Sequence, residues 1–305
     1  MQFEYPVLEA LAAVVREGTF DAAARSLNIT QSAVSQRIKL LEEKTGAVLI
    51  VRGRPCVATE YGQQLCRHIE QVQLLEYDLS KNLTSIKDPS TSAAAVIPIA
   101  VNSDSLATWF PDVIRRASQE LNLHFDISPD DQDYTAERLR KGEALAAVTA
   151  TDKPLQGCRR VTLGSIEYLA VASPRFFENS FAKGVTLKTL AEATQLVFDR
   201  KDLLPHHWLL EAFGETTQLT GHWLPSFSGY LACCLNGAGW GMMPSASVER
   251  HLSEGSLVEL VPGKSVTLEL HWQSSAQGSE IMKLLTNIVT DVARTHLVQH
   301  RLSLT

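Results

Sequence analysis

The segment from Asn28 to Glu43, NITQSAVSQRIKLLEE, constrains the fold most strongly, because its apolar residues recur at the spacing of an amphipathic helix. At about 100° per residue, one arc carries Gln31, Ser32, Ser35, Gln36 and Lys39. The opposite arc carries Ala33, Val34, Ile38, Leu40 and Leu41. Arg37 interrupts the apolar arc and is expected to pair with a carboxylate on a neighbouring helix. Since the polar arc lacks acidic side chains, we expect it to contact a partner rather than only solvent.

Three short helices and a hairpin are predicted over residues 1–58. An apolar stripe from Val7 to Val15 predicts a first helix that ends near Gly18. Thr19 is expected to cap a second helix, and Thr30 is expected to cap a third helix that runs to Gly46. The alternation in VLIVRGRPCVAT, around a glycine and a proline, then predicts a small hairpin, or wing.

The polar face of the third helix suits the major groove of DNA. Glutamine bonds adenine through two hydrogen bonds, serine bonds base edges or phosphate, and lysine reaches guanine or phosphate. Residues Arg25 to Arg54 include six basic and two acidic side chains, whereas the whole chain has a net charge of −6. This basic module disfavours the alternative of a surface helix without a partner. The residues predicted to contact DNA are Thr30, Gln31, Ser32, Ser35, Gln36, Lys39, Arg52 and Arg54.

A longer helix is predicted from Glu60 to about Lys87, within a linker segment over residues 59–91. Its apolar residues follow one another at steps of three or four: Leu65, Ile69, Val72, Leu75, Leu79, Leu83 and Ile86. Such a seam is typical of a coiled coil and predicts that the helix joins two subunits. A helix packed on its own domain is the alternative. KDPSTSAAA is then predicted to be the linker.

Strand-like and helical stretches alternate beyond Ala95. The short apolar strands are VIPIAV, LHFDIS, LAAVTA, YLAVAS and QLVFD. Because helical stretches lie between several of them, the pattern predicts an α/β fold with mainly parallel sheets.

Several other classes of protein are disfavoured. The longest apolar run, AAAVIPIAV, is too short to span a membrane, and the N-terminus does not resemble a signal peptide. Five cysteines without a CxxC pair indicate reduced thiols in a cytoplasmic protein. GAGWG follows a helix rather than a strand, and the adjacent His206 and His207 cannot easily bind one ion, so no nucleotide, metal or other cofactor is expected. No nucleophile–base motif is found, so an enzyme is not expected.

These residues resemble a known family. FDAAARSLNITQSAVSQRIKLLEEKTGAVLIVR closely resembles the winged helix-turn-helix of LysR-type transcriptional regulators. TEYGQQL, NGAGWGMMP and LELHWQSS extend the resemblance over the whole chain. AVNSDSLATW and ITQSAVSQRIKLLE are most similar to the ArgP/LysG branch, whose members respond to lysine or arginine, regulate the export of these amino acids and have also been described as chromosome initiation inhibitors.

The resemblance implies an organisation and a set of partners. Residues 92–305 are expected to form an effector-binding domain like a periplasmic binding protein, with subdomain I at about 92–163 and 267–305 and subdomain II at about 164–266. A homodimer or homotetramer, double-stranded operator DNA, RNA polymerase and a basic amino acid are the implied partners. The alternatives are a DNA-binding inhibitor of replication initiation and a regulator with a different small effector. A pure solute-binding protein is disfavoured by the N-terminal module.

An effector site is expected where the strand Val96–Val101 ends. Polar residues there can cap a helix that starts near Leu106, or can bind the α-carboxylate and α-ammonium groups of an amino acid. Asp131, Asp133, Asp202 and Trp223 are further candidates around a basic side chain. The residues predicted to bind effector are Asn102, Ser103, Asp104, Ser105, Trp109, Asp130, Thr149, Asp199 and Ser226. The choices between lysine and arginine, activation and repression, and dimer and tetramer stay open, and the operator sequence is unknown.

Overall fold

The computed structural model describes residues 3–84, 95–130, 135, 136, 138, 139, 144–155, 157–199, 202–275 and 279–299. The N-terminal part contains three helices, a hairpin and a long helix: α1 (Tyr5–Glu17), α2 (Phe20–Ser26), α3 (Gln31–Thr45), β1 (Ile50–Val51), β2 (Val57–Ala58) and α4 (Glu60–Thr84). The predicted winged helix-turn-helix followed by a long helix is therefore confirmed.

Side-chain caps fix the helices of this N-terminal part as predicted. The Thr19 hydroxyl accepts a hydrogen bond from Ala22 N, and the Thr30 hydroxyl accepts one from Ala33 N. Gly18 ends α1 with φ at 72°, in the left-handed conformation that glycine adopts without steric cost. Apolar residues from all three helices and the hairpin then share one buried core, which includes Leu11, Val14, Ile38, Leu41 and Ile50.

The helix α4 packs against both the N-terminal core and the C-terminal domain. Ile69 is buried in the N-terminal core, so the alternative of packing on its own domain holds for this part of the predicted seam. Leu74 instead joins the core of the C-terminal domain. Leu75 and Leu79, at 57% and 59% exposed, are left open to solvent. The seam positions Leu83 and Ile86 lie outside the described side chains.

The C-terminal domain alternates strands and helices, and most of its elements belong to one sheet and the helices around it. The first elements are β3 (Ala95–Asn102), α5 (Ser103–Thr108), α6 (Phe110–Leu121), β4 (Leu123–Asp130), β5 (Ala146–Thr149) and β6 (Cys158–Ala172). Then follow α7 (Pro174–Ser180), α8 (Leu187–Glu192), β7 (Gln195–Val197), α9 (Leu204–Phe213), β8 (Gly221–Trp223) and α10 (Phe227–Leu235). The last are β9 (Gly241–Pro244), α11 (Ser245–Ser253), β10 (Val258–Glu259), β11 (Ser265–Ser275) and α12 (Glu280–His296).

The strand order corrects one expectation about this sheet. The order is β10-β6-β11-β5-β3-β4, with β9 also paired to β6. β3 runs parallel to β4 and β5, and β7 runs parallel to β8. However, β6 is antiparallel to β11, β9 and β10, and β11 is antiparallel to β5. The expectation of mainly parallel sheets is therefore wrong, because two long strands cross in opposite directions between the two halves of the domain.

Those crossing strands divide the domain into two halves. β3, β4 and β5 lie on one side with α5, α6 and α12, and β7, β8 and β9 lie on the other side with α9, α10 and α11.

Four tryptophans are almost completely buried: Trp109, Trp208, Trp240 and Trp272. Among the described residues, no helix combines the length and apolar character needed to cross a membrane.

Candidate nucleic-acid interface and ligand cleft

The two faces of α3 differ in exposure as the helical wheel predicts. Val34, Ile38 and Leu41 are buried against α1 and α2. The polar arc faces outward, with Ser35 half-buried and the other members exposed: Gln31, Ser32, Gln36 and Lys39. The helix is therefore anchored by one side while donors and acceptors are presented on the other.

Two residues of α3 differ from expectation. Leu40 is 58% exposed, although the wheel placed it on the apolar arc, because this edge of the helix has no element packed over it in the described chain. Arg37 donates a hydrogen bond of 3.3 Å to the backbone carbonyl of Pro6, rather than pairing with a carboxylate. Both residues lie beside the buried stripe of α3. Whether a side chain at this position is buried depends on which neighbouring element packs over it.

Lys39 is an exposed cation of α3 that can contact a phosphate. Lys39 Nζ lies 3.7 Å from Glu43 Oε1, and both side chains are largely exposed. An exposed pair of this kind contributes at most about 1 kcal/mol, so a phosphate can displace the carboxylate. Thr30, by contrast, uses its hydroxyl to cap α3 and lies 2.9 Å from the hydroxyl of Ser32.

The wing carries two exposed arginines, and one of them packs on α2. The guanidinium of Arg52 lies 5.2 Å from the ring centroid of Phe20, within the range of a cation–π contact. The N–H of Cys56 donates to the Gly18 carbonyl at 2.7 Å, which joins the wing to the turn between α1 and α2. Arg54 is exposed at the tip. Arg52 is therefore packed on α2, which contacts α3, while Arg54 is open to solvent.

A cavity of about 230 Å³ lies between the two halves of the C-terminal domain. The first half contributes Asn102, Ser103, Asp104 and Ala150. The crossing strands contribute Tyr168 and Leu268. The second half contributes Phe198, Asp199, Asp202, Leu203, Leu204, His207, Phe227, Tyr230, Met242, Met243 and Pro244. The cavity thus combines apolar side chains with polar groups that include three carboxylates, and small-molecule sites also place polar groups among apolar ones.

Asn102 has unsatisfied polar atoms at this cavity. The residue is 1% exposed, and neither Oδ1 nor Nδ2 has a hydrogen-bond partner among the described residues. Asn102 occupies the N-cap position of α5, which starts at Ser103 rather than near Leu106, yet its side chain makes no capping bond. Leaving a buried polar group unpaired costs about 1–3 kcal/mol. A ligand that supplied a donor and an acceptor here would recover that cost.

Asp104 is bound by a tyrosine that the sequence did not indicate. The Tyr168 hydroxyl donates a hydrogen bond of 2.6 Å to Asp104 Oδ2. The hydroxyl of Thr108 donates to the Asp104 backbone carbonyl, also at 2.6 Å. The Asp104 carboxylate is therefore held at the cavity wall, close to Asn102.

The opposite wall of the cavity carries two more carboxylates and a second tyrosine: Asp199, Asp202 and Tyr230. Asp202 Oδ1 accepts a hydrogen bond of 2.9 Å from Leu204 N, at the start of α9. Tyr230 donates to the Leu196 carbonyl at 2.9 Å and accepts from Met242 N at 3.0 Å. Burial is the main reason why the pKa of Tyr230 lies well above its ordinary value. Its hydroxyl therefore stays protonated and links β7 to β9 in the second half of the domain.

Several predicted effector residues lie away from the cavity. Trp109 packs edge-on against Phe110 in the core, with ring centroids 5.5 Å apart, because the end of α5 turns it inward. Thr149 is buried and accepts a hydrogen bond from Gln273 Nε2. Ser226 caps α10 by accepting from Gly229 N.

The remaining candidates are divided. Ser105 lies behind the wall, fully buried, and its hydroxyl has no partner among the described residues. Trp223 is 55% exposed on β8 and does not line the cavity. The side chain of Asp130, and the residues Asp131 and Asp133, lie outside the described residues. The structure therefore brings together Asn102, Ser103, Asp104, Asp199 and Asp202.

Comparisons with known proteins agree with this architecture. The sequence model of one protein family, the bacterial regulatory helix-turn-helix protein, lysR family, matches residues 7–63. The sequence model of a second family, the LysR substrate binding domain, matches residues 91–294. The chain is 38% identical over 284 residues to the HTH-type transcriptional regulator ArgP of Pseudomonas fluorescens (strain Pf0-1), covering 93% of this chain and 95% of the relative. It is 39% identical over 292 residues to LysG of Mycobacterium tuberculosis (strain H37Rv), covering 96% and 94%.

Solved structures extend the similarity to three dimensions. The crystal structure of ArgP from Mycobacterium tuberculosis matches with a TM-score of 0.81 and 38% identity, covering 98% of this chain and all of that one. Full-length LysG from Corynebacterium glutamicum with bound effector Arg matches with a TM-score of 0.72 and 30% identity, covering 97% and 100%. The resemblance predicted from sequence motifs is thus confirmed, and the chain belongs to the lysR family of bacterial regulatory helix-turn-helix proteins.

Proposed function

We propose that this chain is a transcriptional regulator that binds specific operator DNA under the control of a basic amino acid, L-lysine or L-arginine. Its target would be a gene for the export or metabolism of basic amino acids. The observation that carries the effector part is the unpaired, buried amide of Asn102 beside the Asp104 carboxylate at the cavity wall. Family membership supports the regulatory part.

The cavity contains the groups that a basic amino acid needs. The Asn102 amide can donate to an α-carboxylate, and Asp104 can receive the α-ammonium group. A cationic side chain needs further negative charge, and Asp199 and Asp202 lie on the opposite wall. Apolar side chains such as Phe198 and Met243 can cover the aliphatic part of the ligand. The arginine bound to the LysG of Corynebacterium glutamicum supports this ligand class.

Effector binding is proposed to act by closing the two halves of the C-terminal domain around the cavity. A ligand that contacts Asp104 on one wall and Asp199 or Asp202 on the other stabilises the closed form more than the open form. Only such differential binding shifts a conformational equilibrium. The signal would pass to the N-terminal module through α4, which packs on both parts of the chain.

The DNA-binding surface is proposed to consist of the exposed arc of α3 and the wing arginines. Leu75 and Leu79 offer an apolar strip on α4 for a second copy, so we propose a homodimer or a tetramer of dimers. A two-fold dimer implies a palindromic operator whose half-sites lie near whole helical turns apart. RNA polymerase is proposed as a partner, in the cytoplasm.

Footprinting of promoter DNA with and without amino acids tests this proposal. Discrete protected sites that change with lysine or arginine, but not with leucine, are expected. Asp104→Ala should remove the amino-acid response while DNA affinity stays intact, and Glu254→Gln, on an exposed pair with Arg250, should keep the response. Protection of origin repeats, or a response that persists in Asp104→Ala, would contradict the proposal.

A further inference from the structure

Tyr168 connects the three parts of the chain that frame the cavity. Its hydroxyl donates 2.6 Å to Asp104 Oδ2 on the first turn of α5. Its backbone lies in β6 opposite Val266 of β11 and opposite Pro244 of β9. Pro244 ends β9 and leads directly into α11 of the second half. One residue of the crossing strands therefore contacts elements of both halves.

We propose that Tyr168 is a positioning residue for effector recognition, which holds the Asp104 carboxylate for the α-ammonium group of an amino acid and ties it to the crossing strands. This inference rests on the proposed function, because it assigns a role within the same cavity. It adds to the site a residue that acts on the ligand only through the Asp104 carboxylate.

A neutral donor suits this task better than a cation would. The hydroxyl bond to an ionised carboxylate is stronger than a bond between neutral groups, so it restrains the side chain of Asp104. Tyrosine brings no positive charge, so this bond does not itself neutralise the carboxylate that is proposed to bind an ammonium group. Tyr168 is 1% exposed, so packing fixes its ring while its hydroxyl reaches Asp104 at the cavity wall.

The second tyrosine of the cavity provides a structural contrast. Tyr230 is equally buried, yet its hydroxyl bonds only backbone groups in the contacts described above, those of Leu196 and Met242. Loss of that hydroxyl should weaken the second half of the domain and its affinity for all ligands alike. Loss of the Tyr168 hydroxyl should affect only ligands that carry an α-ammonium group.

Calorimetry on the full chain tests this difference with two pairs of ligands. L-lysine is compared with ε-aminocaproate, and L-arginine with δ-guanidinovalerate, since each analogue lacks only the α-ammonium group. Tyr168→Phe keeps the packed ring, and should weaken binding of the amino acid about tenfold or more. It should leave the Kd of the analogue unchanged. Tyr230→Phe should leave the ratio between amino acid and analogue as in the wild type.

A double-mutant cycle with Asp104→Asn provides the second readout. If Tyr168 acts through Asp104, the double variant should bind the amino acid no more weakly than Asp104→Asn alone. Losses that multiply, or equal losses for amino acid and analogue, would assign Tyr168 a merely structural role and overturn the inference. If the wild type binds lysine or arginine but Tyr168→Phe binds it equally well, only this inference fails. If the wild type binds neither, the proposed function itself fails.

Discussion

Asp78 on α4 accepts a hydrogen bond of 2.8 Å from the backbone N–H of Glu280, the first residue of α12. Its other carboxylate oxygen accepts from Ile281 N at 3.2 Å. Residues 70, 74 and 78 lie on one stripe of α4, and Leu74 is buried in the core of the C-terminal domain. The helix that carries the DNA-binding module is therefore fixed to the C-terminal domain by apolar packing and by a carboxylate at a helix N-terminus.

Removing the Asp78 carboxylate should loosen this joint. Asp78→Ala leaves two N–H groups of α12 without their acceptor and removes a negative charge from the positive end of the helix. We expect a loss of about 1 kcal/mol in the free energy of unfolding, measured by urea denaturation. Asp291→Ala, which breaks an exposed pair with Arg294 on the same helix, should cost less than half of that. Equal losses for the two variants would contradict the role given to Asp78.

Glu70 predicts a pH dependence of stability. Burial raises the pKa of its carboxyl from 4.5 to about 7, and Asp126 adds to the rise while Arg16 and Arg67 oppose it. Since the folded state favours the protonated form, the contribution is fully present below pH 4.5 and is lost as the pH rises through about 7.

Glu70→Gln isolates that contribution because it keeps the shape and removes the titration. At pH 8 the variant should be more stable than the wild type, by up to about 3 kcal/mol. The decline in stability between pH 5 and pH 8 should be smaller in the variant, as followed by denaturant titrations across that range. A wild type and variant with parallel pH profiles would show that Glu70 is not the group responsible.

Gln31→Ala should reduce the preference for operator over random DNA. The side chain is exposed on the first turn of α3, and a bidentate bond to a base contributes about 1–3 kcal/mol of discrimination. Fluorescence anisotropy with operator and random duplexes measures the difference, and Gln73→Ala, an exposed glutamine on α4, is the matched control. An equal loss on both duplexes would instead indicate a contact of Gln31 with phosphate.

Arg54→Ala should change the salt dependence of DNA binding. An arginine that contacts one phosphate contributes about one unit to the slope of log K against log salt. The same loss of affinity is expected on operator and random DNA, and a slope unchanged from the wild type would remove Arg54 from the interface. Arg52→Ala should also lower thermal stability, because its guanidinium packs on Phe20.

Sequence patterns were sufficient to predict those features of the structure that depend on local geometry. The buried side of α3 follows from helical periodicity, since Val34 and Ile38 repeat at the helical spacing. Asn102 and Asp104 could be predicted to lie at a cavity because they follow a strand and begin a helix. Leu40 was placed wrongly, since its exposure depends on which neighbour covers the edge of the helix.

Long-range contacts could not be predicted from the same patterns. Tyr168 lies in an apolar strand, and nothing in YLAVAS distinguishes it from a core residue, although its hydroxyl bonds a carboxylate 64 residues away. Trp109 is close to the cavity residues in sequence, yet it turns into the core. The antiparallel pairing of β6 with β11 could not be predicted from the alternation of strands and helices, because that pattern indicates where strands lie and not how they pair.

Calorimetric titration of the full chain with L-lysine, L-arginine and L-leucine tests the central claim most directly. We expect saturable binding of lysine or arginine and no measurable binding of leucine, because Asp104 can receive an α-ammonium group from all three but the carboxylates of the opposite wall favour a cationic side chain. Binding of leucine as tight as that of lysine and arginine, or no binding of any of the three, would contradict the assignment of this cavity to a basic amino acid.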